Sequence, residues 1–466
     1  VKEQHKQSEL PTDPQSIAEE LLLECIFVPN SEAGVTLANR AGADYKLRFW
    51  QAGWFLWQNG AFQALTDTSV RLLVTKFLHE RNESEERLKI RVSGINDILL
   101  NLAAFVYLPD ERLLNSWPTG DENYGKQTLC AGNGLIVYKN DGTAKLLDHT
   151  PRYFSTVKLN YDYDAEAKCP LWTAFLKEVM LGDAEYVALL QEFCGYIFRP
   201  DLREQKFLLF TGEGSNGKGV VFDVLAGLYG KPNCSDTSLV RFNQPFALYS
   251  TLGKLVNMAS ESSHIIEHEA ENVLKGYVAG DTLMFERKFK DPVFAVPTAK
   301  IIIATNSKPR FNDKTYGMWR RILLVPFDKV ITEANQIKNL ADELKTELPG
   351  ILNWALAGLA RLNKQGGFTL PHRAGPLLED YRRESDPARA FLMENYEASG
   401  NGEAVACAEL YRNYRQWCEA EGCKAMGSRS LGKQVSRLYT AVERKRVRFL
   451  GEREWRYAGL TPILSL

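Results

Sequence analysis

The sequence contains no C-x-x-C cysteine pair. Its eight cysteines stand at Cys25, Cys130, Cys169, Cys194, Cys234, Cys407, Cys418 and Cys423. With only six scattered histidines, this spacing excludes the common zinc modules and predicts free thiols in a reducing compartment. No apolar run approaches the roughly 18 residues of a membrane-spanning helix, and no signal-peptide pattern occurs. An excess of either charge is also lacking. The 57 basic and 58 acidic residues create no global field for nucleic acid, so any such surface must be local. The first residue is Val1, not Met, which predicts a piece cut from a longer polypeptide.

What is present describes a soluble globular chain. Its 466 residues, 45% hydrophobic and 25% charged, suffice for about two to four domains. Near the start, "PQSIAEELLLECIFV" reads as a helix. An aromatic stretch from Phe49 through Trp50, Trp54 and Trp57 then runs into Asn59-Gly60, a strong hairpin signal. Three tryptophans there could stack bases, but packing of a small sheet is the better reading. Helical patterns follow at 68–80 and 93–105, and a second hairpin turns at Asn140-Asp141-Gly142. Asp162 and Asp164 lack a third carboxylate or basic partner in a matching pattern, so they predict no metal pair. Two amphipathic helices are expected at 171–180 and 184–197.

From Lys206 to Phe327 short apolar runs of β type alternate with helices: "KFLLFT", "KLVNMAS", "KIIIAT" and "RILLVPF". That is the pattern of a parallel sheet covered on both faces. The first run leads into "TGEGSNGKGVV", residues 211–221, which contains G-x-x-x-x-G-K at Gly212, Gly217 and Lys218. Gly212, Gly214 and Gly217 let the backbone curl its N–H groups around phosphates, and Lys218 adds a point charge. Glu213, Ser215, Asn216, Gly219 and Val220 complete the candidate loop. Gly219 occupies the place where a Ser or Thr hydroxyl usually meets Mg²⁺.

The second run ends at Glu261, a carboxylate placed to orient an attacking water and the metal. The third ends at Asn306, whose amide can hold a γ-phosphate or the lytic water. Arg320 and Arg321 precede the fourth run, where an arginine could stabilise transition-state charge on a neighbouring subunit's nucleotide.

These motifs carry a resemblance. The array at 212–219, "ASES" at 259–262, "VLKGYVAGD" at 273–281, "ATNSKP" at 304–309 and "WRRILLVPF" at 319–327 resembles the superfamily-three helicases. More closely, it is similar to the primase–helicase proteins of phages, plasmids and large DNA viruses. The likeness extends over most of the chain, including "YFSTVKLNYDYDAEAKCPLW" before the sheet and "LYRNYRQWC" near the end. It implies an AAA+ ATPase that uses ATP and Mg²⁺, forms a homo-hexameric ring and moves 3′-to-5′ on single-stranded or forked DNA. By residue it implies Lys218 on the phosphates, Glu261 as acid and metal group, Asn306 as sensor, and Arg320 or Arg321 acting in trans. Lys275 and Asp281 fall on the family's additional motif. "FERKFKDPVF" matches the hairpin that points cations into the ring pore, implying Arg287, Lys288 and Lys290. Two departures stand out: Gly219, and Ser260-Glu261 where many helicases carry two adjacent acids.

The C-terminal pattern reads as three helices and a basic hairpin, which suggests a winged helix. Arg429, Lys433 and Arg437 share one helix side at i, i+4 and i+8, and Arg446 and Arg448 lie in the hairpin. Residues 428–457 hold nine Lys/Arg against three Glu, a local basic surface that DNA would fit.

The expected architecture is α/β, with an α+β N-terminal domain at 1–150, a helical collar at 151–205, an AAA+ P-loop ATPase with a parallel sheet at 206–370, and a winged-helix domain at 371–466. The expected activity is an ATP-dependent replicative DNA helicase of a phage, plasmid or other mobile element, working in the host cytoplasm without a membrane. A primase–polymerase module or a replication initiator would be its partner, since no primase carboxylate set occurs in 1–150. The rival expectation is a DNA-remodelling ATPase or initiator that does not unwind.

Overall fold

The computed structural model describes residues 13–25, 45–84, 91–109, 114–261, 266–311, 316–398, 404–422, 424–449 and 452–463. At the N-terminal end, strands Leu47–Trp50, Gly53–Gln58 and Ala61–Leu65 form an antiparallel sheet. Its second turn is Asn59-Gly60, with φ of 50° and 91°, the left-handed pair that a two-residue hairpin needs. Helices Pro14–Cys25, Asp67–Ser84 and Val92–Val106 cover this sheet, with Leu21, Val74 and Leu102 buried among them. Trp54 lies in that core, whereas Trp50 packs with Phe62 and Phe154. Core packing therefore accounts for these two rings.

A second antiparallel sheet, Gln127–Cys130, Leu135–Tyr138 and Ala144–Leu147, buries Cys130 and Leu135 beside Ala61 of the first. Its Leu129, Ile136 and Tyr138 share one core with the helices that follow, α1 (Pro170–Val179) and α2 (Ala184–Tyr196). The second small sheet and these helices thus share one continuous core.

The largest sheet has five parallel strands: β1 (Phe207–Thr211), β2 (Cys234–Ser235), β3 (Val256–Glu261), β4 (Lys300–Thr305) and β5 (Ile322–Pro326). Their order is β5-β1-β4-β3-β2. Both faces are covered, which is why β1 and β5 are uninterrupted apolar runs. One face packs on helix α3 (Lys218–Tyr229), on α1 and α2, and on α4 (Leu348–Gln365). The contact between α2 and α4 is close. A Cβ on Gly195 would lie 2.1 Å from the Ala355 carbonyl oxygen, and one on Gly358 would lie 2.3 Å from that of Gln191. No side chain fits between these backbones, so the expected collar is packed onto the sheet unit by glycine.

After Gly366-Gly367 the chain does not enter the C-terminal module at once. Helix α5 (Ala374–Ser385) packs against the other face of the sheet, where Tyr381 is buried beside Phe311 and Trp319. Helix α5 thus shares the packing of the sheet unit. Beyond it, helices Pro387–Asn395, Cys407–Ala420 and Ser428–Leu438 and strands Glu443–Phe449 and Glu452–Ala458 enclose a separate small core.

Candidate nucleotide site and nucleic-acid interface

The parallel register aligns the strand ends. Pro326, Thr211, Thr305 and Glu261 are successive neighbours across β5, β1, β4 and β3. The loop after Thr211, Asn306 and Glu261 therefore share the carboxyl edge of the sheet, the edge where open α/β sheets bind ligands. The side chains of Glu261 and Lys290 lie outside the described part of the chain.

The loop is shaped by backbone that only glycine adopts easily. Gly212, Gly214 and Gly217 have φ of 153°, 111° and 88°, and Ser215 joins them at 43°. Gly212 and Gly217 have no room for a side chain, because a Cβ would meet the Phe327 carbonyl at 2.6 Å and Val179 at 2.8 Å respectively. Nothing lies within 4 Å of a Cβ placed on Gly214 or Gly219, so the outer side of the cradle is open. Gly219 and Val220 fall in the first turn of α3, where N–H groups have no intrahelical acceptor and face a ligand.

Asn216 locks this loop. It is buried, its Nδ2 donates to the Phe327 carbonyl at 3.0 Å, and its Oδ1 accepts from Lys218 Nζ at 3.2 Å. Lys218 also donates to the Gly212 carbonyl at 2.5 Å and is 6% exposed. Burial pushes its ammonium pKa below the ordinary lysine value. A phosphate group at the cradle would exchange neutral acceptors for anionic ones. Sequence reading placed Asn216 in the loop but missed its contact with Phe327, which lies 111 positions away.

Arg320 and Arg321 sit at the opposite edge. Phe207 N–H, at the start of β1, donates to the Arg321 carbonyl, and Lys206 Nζ donates to that of Arg320. Five residues of strand, roughly 15 Å, separate them from the loop. The two arginines also differ from each other. Arg321 is 8% exposed and its Nη1 is hydrogen-bonded to the Gly317 carbonyl, whereas Arg320 is exposed and its Nη2 reaches Gln205 Oε1 at 3.1 Å. Asn306 is exposed, and the loop after it is held by Lys308, which contacts Glu384 of α5 at 3.0 Å.

Basic candidates lie in two places. Strands Leu283–Arg287 and Lys290–Ala295 form a hairpin whose tip is Lys288-Phe289, and Arg287 Nε donates to the Asp291 carbonyl at 2.8 Å. In the C-terminal module, Arg429, Lys433 and Arg437 are exposed on one helix, with Leu431 and Val435 buried behind them. On the following hairpin Arg446 pairs with Trp455 and Arg448 with Arg453, while Arg444 lies over the Trp455 ring at 4.5 Å. Arg444, Arg453 and Trp455 escaped the sequence reading, although alternation from Arg444 to Arg448 puts all three arginines on one face.

Three family models match separate stretches: "D5 N terminal like" at 52–181, "Family of unknown function (DUF5906)" at 210–321, and "RFX DNA-binding domain" at 386–463. "Putative helicase L207/L206" of Acanthamoeba polyphaga mimivirus is 22% identical over 273 residues, covering 52% of this chain and 28% of that protein. "Putative helicase 121R" of Invertebrate iridescent virus 3 is 23% identical over 312 residues, covering 56% and 32%. The apo structure of the NrS-1 C-terminal region superposes over 96% of this chain and 98% of its own, with TM-score 0.53 at 14% identity. These matches make the chain similar, over about half of its length, to putative helicases of large DNA viruses, and its fold similar to that of the NrS-1 C-terminal region.

The chain spans about a third of the length of the viral relatives it matches. Its D5-like match crosses the packing of the second small sheet on α1, in line with the continuous core there. The RFX DNA-binding match begins at 386, where α5 has just ended. Among the described residues, no helix is long and apolar enough to cross a membrane.

Proposed function

We propose that this chain is the motor portion of an ATP-driven replicative DNA helicase of a phage, plasmid or other mobile element. In this reading it is an AAA+ ring, assembled as a homo-hexamer and moving 3′-to-5′ on single-stranded or forked DNA, with a winged-helix tail. One observation carries it: the glycine cradle with Lys218, the end of β3 at Glu261 and Asn306 after β4 converge on one sheet edge, while Arg320 stands at the other.

The cradle fits a nucleoside triphosphate. Gly214 and Gly219 leave its open side free, and the first-turn N–H groups of α3 supply donors for phosphate oxygens. Bound ATP with Mg²⁺ supplies the phosphoanhydride whose hydrolysis drives movement. Lys218 would shift from Gly212 and Asn216 to the phosphates, Glu261 would hold the ion's water shell and orient the attacking water, and Asn306 would read the terminal phosphate. Arg320, exposed and beyond reach of its own loop, would complete a neighbour's site. Lys288 and the C-terminal arginines would contact DNA phosphates.

The RFX-like module favours a second reading, in which an initiator or remodelling ATPase binds DNA without unwinding it. Strand displacement on a forked substrate, measured beside DNA-stimulated ATP hydrolysis, separates the two. The helicase reading expects both activities in the wild type and neither in Lys218→Ala. Hydrolysis without displacement would favour the initiator, and normal hydrolysis in Lys218→Ala would remove the loop as the site.

A further inference from the structure

The tip of the hairpin between β3 and β4 combines two unfavourable features in one residue. Phe289 is 94% exposed, more than any other large apolar side chain among the described residues, and its φ is +60°. Arg287 and Lys290 are the last paired residues, so Lys288-Phe289 is a two-residue turn. Gly or Asn fills such a left-handed position without strain, whereas a bulky ring there is a genuine outlier. Such strain clusters at ligand-binding sites.

The base of the hairpin is firmly anchored. Phe285 and Val293 are buried in the sheet core, and Glu286 is turned to accept from Phe246 N–H at 3.3 Å. At the tip the ring meets a cation, with Lys288 Nζ 5.1 Å from its centroid. The local sequence is Arg287-Lys288-Phe289-Lys290, three cations around the ring, flanked by Glu286, which is held at Phe246, and by Asp291. An exposed aromatic between cations is the combination that holds single-stranded nucleic acid, by stacking on bases while charges follow the phosphates.

We propose that Phe289 is a base-stacking element, its ring laid against an unpaired nucleobase of a single strand threaded past this hairpin. Paired bases in a duplex offer no free face, so the contact selects single strands. The proposal rests on the reading that the hairpin faces DNA. A competing partner is a second copy of this chain, because the cross-strand pair Met284 and Phe294 is also exposed, at 47% and 64%.

The test uses the full chain and an oligothymidylate carrying one 2-aminopurine. Affinity across a salt series, 2-aminopurine fluorescence and oligomer mass are measured for Phe289→Ala, Phe289→Trp and Lys288→Ala. Phe289→Ala should weaken Kd about 5- to 100-fold, leave the salt slope unchanged and abolish the fluorescence change, while Phe289→Trp keeps both signals. Lys288→Ala should flatten the salt slope by about 0.7. A flatter slope in Lys288→Ala with unaltered binding in Phe289→Ala overturns the stacking proposal and leaves the hairpin on DNA. No change in either variant removes the hairpin from DNA altogether. A lower oligomer mass in Phe289→Ala with the fluorescence change intact assigns the ring to a subunit contact and overturns the proposal. Phe289→Gly should relieve the backbone and raise the unfolding midpoint while losing the fluorescence change, which separates stacking from stability.

Discussion

Gly219 and Lys300 make the sharpest cases for single side chains. At Gly219 an added Cβ meets nothing within 4 Å, so a serine fits without moving the loop. Mg²⁺ keeps several waters and is held largely by nucleotide phosphates, so one missing hydroxyl is replaceable by water. Gly219→Ser should keep ATP hydrolysis within a few-fold and lower the Mg²⁺ concentration required, as read from an Mg²⁺ titration. Hydrolysis that appears only in the serine variant would mean that the natural loop is disabled. Lys300, the first residue of β4, is fully buried at the other edge, hydrogen-bonded to the Arg199 and Thr298 carbonyls. Burial pulls its pKa down to about 7, below the unfolded lysine value. Between those values the unfolded chain binds the proton and the folded one does not, so this group's contribution to stability rises with pH from about 7 upward. Urea midpoints should climb less steeply from pH 7 to 9.5 in Lys300→Met than in the wild type. Equal slopes would show that Lys300 stays charged.

Among the elements, the α2–α4 pair is the tightest joint described. Gly358→Ala would drive a methyl group into the Gln191 backbone, an overpacking that costs about 1–3 kcal/mol. Its unfolding midpoint should fall, while Gly367→Ala, with nothing within 4 Å, should not move. Such elements differ in how legible they were from sequence. Four of the five strands of the large sheet read clearly as short apolar runs buried on both faces, whereas the two-residue β2 has no such run, and Asn59-Gly60 announced its hairpin through the φ it must adopt. Helix α5 did not read as a helix. Gly375-Pro376 stands in its first turn, Gly366-Gly367 precedes it, and of its own residues Tyr381 alone is buried. The two arginines before β5 are the same letter, and their burial separates them only once β1 lies alongside. The Asn216–Phe327 contact joins chain ends that no local pattern connects.

At the scale of the whole molecule, the cradle and Arg320 occupy opposite sheet edges, so one copy cannot bring its own pair together. Arg320→Ala should lose hydrolysis much as Lys218→Ala does, and mixing the two variants should restore part of it. Arg321→Ala should instead lose stability, because its guanidinium is buried against Gly317. If no mixing ratio restores activity although the oligomers exchange subunits, sites shared between copies are excluded. The glycine-packed joint also bears on where the chain can be cut. A truncation beginning at residue 206 removes α2 and lays bare the α4 groove that Leu189, Leu190 and Phe193 fill, so such a fragment should aggregate when expressed. A fragment of residues 13–385 retains both small sheets, which share Phe62, Phe154, Ala61 and Leu135 in their packing, with both helices of the joint and α5, and it should stay in solution.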